Sequence, residues 1–374
     1  MSLWFVSAAI LPDMTQSAAL TPFRSAALSS GVQAGFVIGA LFLAVLGIPD
    51  RFDPRFVFAA AAVCAGFVNA SLIFLESGSD LAILARIVTG IFLAGVYPVG
   101  MKIIVGWGIK DRGFLVGALT GALALGSATP HLIALIGGSN WQLTVIAASV
   151  AAIASALLCF GIALGPYHAK APKFDPRVVL TAWTNRRVRL AYAGYLGHMF
   201  EMFAMWAWIG VAAAASYSAT LPFWEAQDLG KLTAFAAIGI SAISCVAAGH
   251  FADRWGKARI AIVAMVISGT SAVLAALTFG GPAWLTFAIV LIWGLSVAPD
   301  SAQFSALVAD AAPAEQAGSL ITFQTALGFA LTIVTVQLTL VLASAVSWPV
   351  ILACLALGPM FGVAAMLRLL RIRD

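Results

Sequence analysis

The stretch YLGHMFEMFAMWAW, residues 195–208, sets Tyr195, His198 and Glu201 three residues apart inside an apolar run. That spacing places all three on one helical face, with His198 able to contact Glu201. Ionisable groups in such a run are costly, so each is a candidate for function. Apolar surroundings penalise the charged form of a carboxyl, which lets it exchange a proton near neutrality. Glu201, with His198, is the candidate proton-coupling site. A second set of polar residues lies in other apolar runs. Asp300 and Gln303 follow Pro299 in WGLSVAPDSAQF; Arg86, Tyr97 and Lys102 surround Gly95 and Pro98; Gln33 and Gln324 stand alone. With Tyr195 and Trp206 these are the candidate ligand contacts, and Trp208 and Trp293 could extend an aromatic wall. Arg86 and Lys102 point towards an anionic ligand. Each also has a plainer reading: Arg86 can hold helices together, Lys102 and Asp300 can snorkel to an interface, and Glu201 can be a structural partner of His198.

Other chemistries find less support. His198-x-x-Glu201 is half of a metal pair, but no second acidic or histidine cluster completes it, so neither a metal nor another cofactor is expected. H-E-x-x-H and G-x-S-x-G are both absent, which argues against an enzyme.

The elements that must position these residues follow from composition. Of 374 residues, 62% are hydrophobic and 9% are charged, against roughly a quarter charged in soluble domains. Apolar runs of about 20 residues, long enough to cross a bilayer, recur along the whole chain. No short alternating strands suggest a barrel. The expected spans are 2–16, 26–47, 56–75, 81–105, 113–136, 142–164, 190–215, 231–249, 259–279, 284–307, 317–342 and 348–367. The fold class is an all-α membrane protein with twelve transmembrane helices. They divide into a six-helix bundle over 1–164, a polar connector over 165–189, and a second six-helix bundle over 190–374.

Lys and Arg near span ends are retained on the cytoplasmic side. Alternate connections separate into two sets. One holds sixteen basic residues: Arg51, Arg55, Lys110, Arg112, Lys170, Lys173, Arg177, Arg186, Arg187, Arg189, Arg254, Lys257, Arg259, Arg368, Arg371 and Arg373. The other holds only Arg24 and Lys231, beside Glu76, Asp80, Glu225 and Asp228. Both termini and the connector therefore face the cytoplasm. The net charge of +5 is a signal of topology, with no support for nucleic-acid binding. Cys64, Cys159, Cys245 and Cys354 all fall in apolar runs and read as small packing residues. No basic n-region marks a cleavable signal peptide.

Two motifs recur between the halves. GHFADRWGKAR, residues 249–259, gathers Asp253, Arg254, Lys257 and Arg259 in a short turn. LGIPDRFDPRF places Asp50 and Arg51 at the matching point, 203 residues earlier. Small residues at spacing four, Gly113, Gly117 and Gly121, are echoed by Gly318, Thr322, Ala326 and Ala330, and such ladders let helices approach closely in lipid. Pro98 and Pro299 also correspond. Together these imply parallel repeats related by an axis along the membrane normal.

GHFADRWGKA resembles the signature loop of the major facilitator superfamily, G-x-x-x-D-R-x-G-[RK]-[RK]. Gly249, Asp253, Arg254, Gly256 and Lys257 match, and Ala258 departs. The first-half copy keeps Asp50, Arg51 and Arg55, with Asp53 and Pro54 replacing the glycine and a basic residue. Arg86 to Gly90 is similar to the superfamily's R-x-x-x-G element. ATPHL, residues 128–132, stands where its drug antiporters carry G-P-x-x-G-G, which argues against a standard multidrug exporter. The resemblance covers the whole chain, leaves the subfamily unresolved, and implies a secondary transporter working by alternating access. It implies that Asp50, Arg51, Gly249, Asp253, Arg254, Gly256 and Lys257 latch the cytoplasmic side in one conformation.

The expected protein is thus a monomeric, proton-coupled transporter of a small, anionic solute in a bacterial inner membrane. The alternatives are a facilitative uniporter, a drug exporter, and a receptor-like protein on the same fold. Repeat arithmetic adds an expectation about the first span. From Leu190 to Asp253 is 63 residues, whereas from Met1 to Asp50 is 49. The first half is shorter by 14, which predicts a half-length first helix and a natural start further upstream.

Overall fold

The structure, a computed structural model, describes residues 1–17, 20–108, 112–168 and 175–372. Lys110, Lys170, Lys173 and Arg373 lie outside the described residues, as do the side chains of Arg112 and Asp253. Among the described residues, eleven helices are long and apolar enough to cross a bilayer: Pro22–Leu46, Pro54–Phe74, Asp80–Val105, Phe114–Gly137, Trp141–Phe160, Arg186–Tyr217, Phe223–Ala252, Lys257–Leu277, Ala283–Ala311, Gln316–Leu342 and Trp348–Leu370. These are spans two to twelve. The shortest has 20 residues, about 30 Å at 1.5 Å per residue, the thickness of the hydrocarbon. Span one is a 3-10 turn, Ser2–Trp4, followed by the 12-residue helix Val6–Ser17. No strand occurs among the described residues.

Capping chemistry sets several starts. Thr21 accepts from the Arg24 amide, with Pro22 opening span two. Asp53 accepts from the Arg55 amide, with Pro54 opening span three. Ser79, Asn140 and Asn185 cap spans four, six and seven. Such oxygens satisfy N–H groups that have no intrahelical acceptor, and proline at the first position loses nothing by lacking one. Large apolar side chains such as Phe67, Ile136, Leu157, Leu158 and Ile243 are exposed, as a bilayer-facing surface requires.

Span eight differs from expectation. Its helix runs Phe223–Trp255, 33 residues, well beyond the expected 231–249. Gly249, Asp253 and Arg254 therefore sit on its last turns, and the connection to span nine shrinks to Gly256 alone. Nothing in GHFADRW breaks a helix, so it continues until Gly256, whose φ of +89° and ψ of 136° suit only a residue without a Cβ.

Among the described residues, three of these eleven longer spans divide into two α-helices. Span four splits into Asp80–Leu93 and Tyr97–Val105, and span ten into Ala283–Val297 and Ser301–Ala311. Pro98 and Pro299 lie at these matching breaks, where each removes an N–H from the ladder. Span twelve breaks at Ala356.

Spans of the first six meet the last six along two long seams, five against eight and two against eleven. In the first seam a Cβ on Gly117 would lie 2.9 Å from the Cys245 carbonyl oxygen, and one on Gly121 would lie 3.0 Å from that of Ala242. The small-residue ladder of span five is therefore used across this seam. The corresponding Gly318 has open space beside it, so the echo in span eleven does not repeat that contact.

Candidate functional site

Glu201 lies buried on span seven and accepts two hydrogen bonds. Ser268 Oγ of span nine donates to Oε2 at 2.9 Å, and Trp293 Nε1 of span ten donates to Oε1 at 2.8 Å. His198 turns elsewhere: its Nδ1 lies 2.9 Å from Oδ1 of Asp300, without the alignment of a straight hydrogen bond. The expected contact between His198 and Glu201 gives way to these two separate pairings. The carboxylate has neutral donors from two other spans, and the imidazole has a carboxylate at the break of span ten. Asp300 occupies the N-cap position of Ser301–Ala311, the positive end of that helix. It is buried rather than snorkelling, and Gln303 is buried one turn further on.

The break in span ten thus delivers Asp300 to span seven, and Tyr97 opens the second helix at the break in span four. Tyr97 is half-buried, beside Thr120 and within electrostatic reach of Tyr195 across the seam. The Tyr195 ring packs 6.0 Å from His198 and 6.2 Å from Phe304, centroid to centroid. Gly328 of span eleven clears room for it.

The middle of the molecule is filled by aromatic rings from both halves. Trp4 packs against Phe36, Phe203 and Phe329 at 4.8, 5.6 and 5.2 Å, and Phe36 meets Phe329 at 4.5 Å. Trp206 joins through Phe5 and Phe203. Trp208 and Trp293 do not extend this wall. Trp208 Nε1 donates to the Val336 carbonyl at 2.8 Å, and Trp293 is committed to Glu201. Ser29, Gln33 and Phe36 share one face of span two by spacing, and all three are buried. The amide of Gln324 is buried on span eleven, and neither its oxygen nor its nitrogen has a hydrogen-bond partner among the described residues.

Of the two readings of Arg86, its place in the structure fits the plainer one, that of holding helices together. Arg86 is fully buried and its guanidinium is committed to protein. It donates to the carbonyls of Leu28 (3.1 Å), Leu3 (2.8 Å) and Trp4 (3.0 Å), and to Asn69 Oδ1 (2.7 Å). It ties spans one to four, and the following Gly90 admits the backbone of span two at Val32. Lys102 reaches back to Asp50 and to the Pro49 carbonyl, the latter at 2.8 Å. Both cations are thus engaged with protein groups in this arrangement.

The Lys102–Asp50 pair explains what the first-half motif does: it fastens the connection after span two to the end of span four. In the second half, Lys257 Nζ lies 2.6 Å from Asp310 at the end of span ten. The same two elements are fastened in each half, through different positions and with the signs reversed. Arg51 and Arg254 are exposed. At the same end, Asp53 is held below the usual carboxylate range, chiefly by its hydrogen bonds from Arg55.

The opposite, charge-poor end holds a feature the sequence reading missed. Lys231 of span eight lies 3.1 and 3.0 Å from the two carboxylate oxygens of Asp13 on span one, with both side chains buried. The Ala134 carbonyl of span five accepts a third contact at 3.4 Å. This pair joins the halves. Its sequence signal was Lys231 itself, one of two cations on a side otherwise without them. The other, Arg24, pairs with Asp80 at 3.0 Å. Nearby, Gln337 bridges Ser30 (2.7 Å) and the Phe23 carbonyl (3.0 Å) across the second seam.

Comparison with known proteins bears on this arrangement. Residues 1–336 match the family described as the Major Facilitator Superfamily. No curated protein matches the sequence. Among solved structures the chain is similar to the nucleoside transporter NupG, with a TM-score of 0.74 at 12% identity, covering 99% of this chain and 96% of that one. It is also similar to the xylose transporter XylE from E. coli in a partially occluded inward open conformation, with a TM-score of 0.69 at 14% identity, covering 100% and 95%. At such identity the likeness is one of fold.

Proposed function

The chain belongs to the Major Facilitator Superfamily, and from that premise we propose that it is a proton-coupled secondary transporter whose two six-helix halves, 1–164 and 190–374, alternate access to a central site. The charge-rich end faces the cytoplasm, by the positive-inside rule, which puts the Asp13–Lys231 pair at the outer end.

The observation that carries the coupling is the pair of donors around Glu201. Trp293 Nε1 can only donate, so Oε1 must remain an acceptor in every protonation state. Ser268 Oγ can donate or accept, and its hydroxyl has a second acceptor in the Met265 carbonyl at 3.2 Å. A proton on Oε2 is therefore accommodated when the Ser268 hydroxyl turns to Met265 and accepts from the carboxyl. Glu201 is thus hydrogen-bonded in both forms without any helix moving, as a carboxyl that loads and unloads protons requires. Trp293 and Asp300 lie on the same span, seven residues apart, which sets the His198–Asp300 pair beside the same event.

The test is accumulation in proteoliposomes under an imposed proton gradient. Wild-type protein accumulates solute above the external concentration. Glu201→Gln keeps the hydrogen-bonding shape without the proton and only equilibrates it. Full gradient-driven accumulation by Glu201→Gln would overturn the assignment.

A further inference from the structure

Among the described residues most buried charged side chains have protein partners, whereas a set of buried neutral polar groups does not. Arg86, Lys102, Lys231, Asp13 and Glu201 are each committed to the partners given above. Asp300 stands 2.9 Å from His198. By contrast, Trp4 Nε1, Ser29 Oγ, Gln33 Oε1, His198 Nε2, Trp206 Nε1 and both polar atoms of Gln324 have no hydrogen-bond partner among the described residues. All six residues are at least nine-tenths buried. Buried polar atoms are normally satisfied, and an exception calls for a partner that binds there.

These six are not scattered. Trp4 and Trp206 belong to the central aromatic cluster, and Ser29 and Gln33 share the face of span two that ends in Phe36. Gln324 lies five residues before Phe329, and His198 five before Phe203. Five residues turn a helix by about 140°, so Gln324 and His198 leave their helices on other faces than those two rings; both lie instead beside Tyr195, which packs on His198 and against Gly328, one turn after Gln324. The cluster draws on spans one, two, seven and eleven, so separating the halves would open it.

We propose, resting on the transport reading, that this site takes an uncharged solute with a flat ring face and an edge of hydrogen-bond donors and acceptors. The rings of Phe36, Phe203 and Phe329 suit the face, since stacking makes no demand for charge. The indoles of Trp4 and Trp206 supply donors, Gln33 Oε1 supplies an acceptor, and the Gln324 amide supplies both. The buried basic side chains named above are spent on protein and Asp300 faces His198, so a charged solute would find little counter-charge and would lose its hydration, at a cost far above that of a neutral one.

The test is a melting-temperature screen of the purified full chain with probes of matched size. Uridine and xylose serve as uncharged rings, uridine monophosphate and xylonate as anions, and choline as a cation. The inference expects an uncharged member to raise the melting temperature and the charged members to leave it unchanged. Gln324→Leu and Gln33→Leu should each weaken that binding roughly tenfold, or about 1.4 kcal/mol. The unliganded melting temperature of Gln324→Leu should hold or rise, since an unpartnered amide is removed. A shift by an anion or by choline, no shift by either uncharged probe, or binding indifferent to both substitutions overturns the inference. Flux separates the two readings. Saturable uptake of a charged solute would overturn the substrate class and leave transport standing. An uncharged ligand that binds but is never carried across proteoliposomes would overturn transport and leave the class standing.

Discussion

Replacing Lys231 with Met should unlock the charge-poor end. In the structure, Lys231 Nζ meets both oxygens of Asp13 at 3.0 and 3.1 Å, and the two side chains are 7% and 5% exposed. Met matches the length of the lysine stem and removes its charge, so Asp13 is left buried and unpaired whenever that end is closed. Removing one partner of a buried pair costs about 3–5 kcal/mol. When the halves part at this end, water reaches Asp13 and the penalty disappears. The whole cost therefore falls on the closed form, and the balance moves towards the open one by roughly a hundredfold to a few thousandfold. Spin labels at Ser139 and Ser344, which are exposed at the tips of the two halves, report the change as a longer distance population once the native cysteines are replaced. The double variant Asp13→Asn/Lys231→Met buries no charge and should shift less than Lys231→Met alone. An unchanged distance distribution in Lys231→Met, or an equal shift in the double variant, would refute the reasoning.

Three further outcomes follow from local geometry. Ser268→Ala removes the one partner of Glu201 able to reverse its hydrogen bond, so proton-driven accumulation should fall at least tenfold while unliganded stability changes little; unaltered accumulation would remove Ser268 from the coupling. Gly256→Ala should lower stability by about 1–3 kcal/mol in a denaturant titration, through backbone strain alone, because no atom lies within 4 Å of the added Cβ. Asp53→Ala should cost about 1 kcal/mol as a lost helix cap. Arg55 depresses the Asp53 carboxyl, so this contribution is complete above the ordinary value near 3.9 and lost as pH falls through the depressed one. The difference in melting temperature between wild type and variant should therefore be constant at neutral pH and close in acid.

Much of the fold was readable because bilayer crossing imposes one strong rule on composition and length. The correspondence of Pro98 and Pro299 was readable from their spacing, and the structure adds that each lies at a helix break. Pairings were not. Spacing alone made His198 and Glu201 neighbours, but a helical face fixes direction and leaves the opposing helix unknown. Span nine supplied Ser268 and span ten supplied Trp293 and Asp300. Arg86 looked like an anion site because the Leu3 and Trp4 carbonyls that occupy it come from a 3-10 turn with no distinctive sequence. Asp13 and Lys231 are 218 residues apart, and only the docking of the halves brings them together. The overlong span eight was missed because hydropathy trims charged turns that a helix still contains.

Alternating access is tested most directly by reading both ends of the same molecule. Labels at Ser139 and Ser344 report the charge-poor end, and labels at Phe52 and Trp255, both exposed, report the charge-rich end. Lys231→Met and wild type, each compared across pH, should show reciprocal populations, with the charge-rich distance shortening wherever the charge-poor distance lengthens. A population long at both ends, or a charge-rich distance that stays fixed while the charge-poor end opens, would contradict the account.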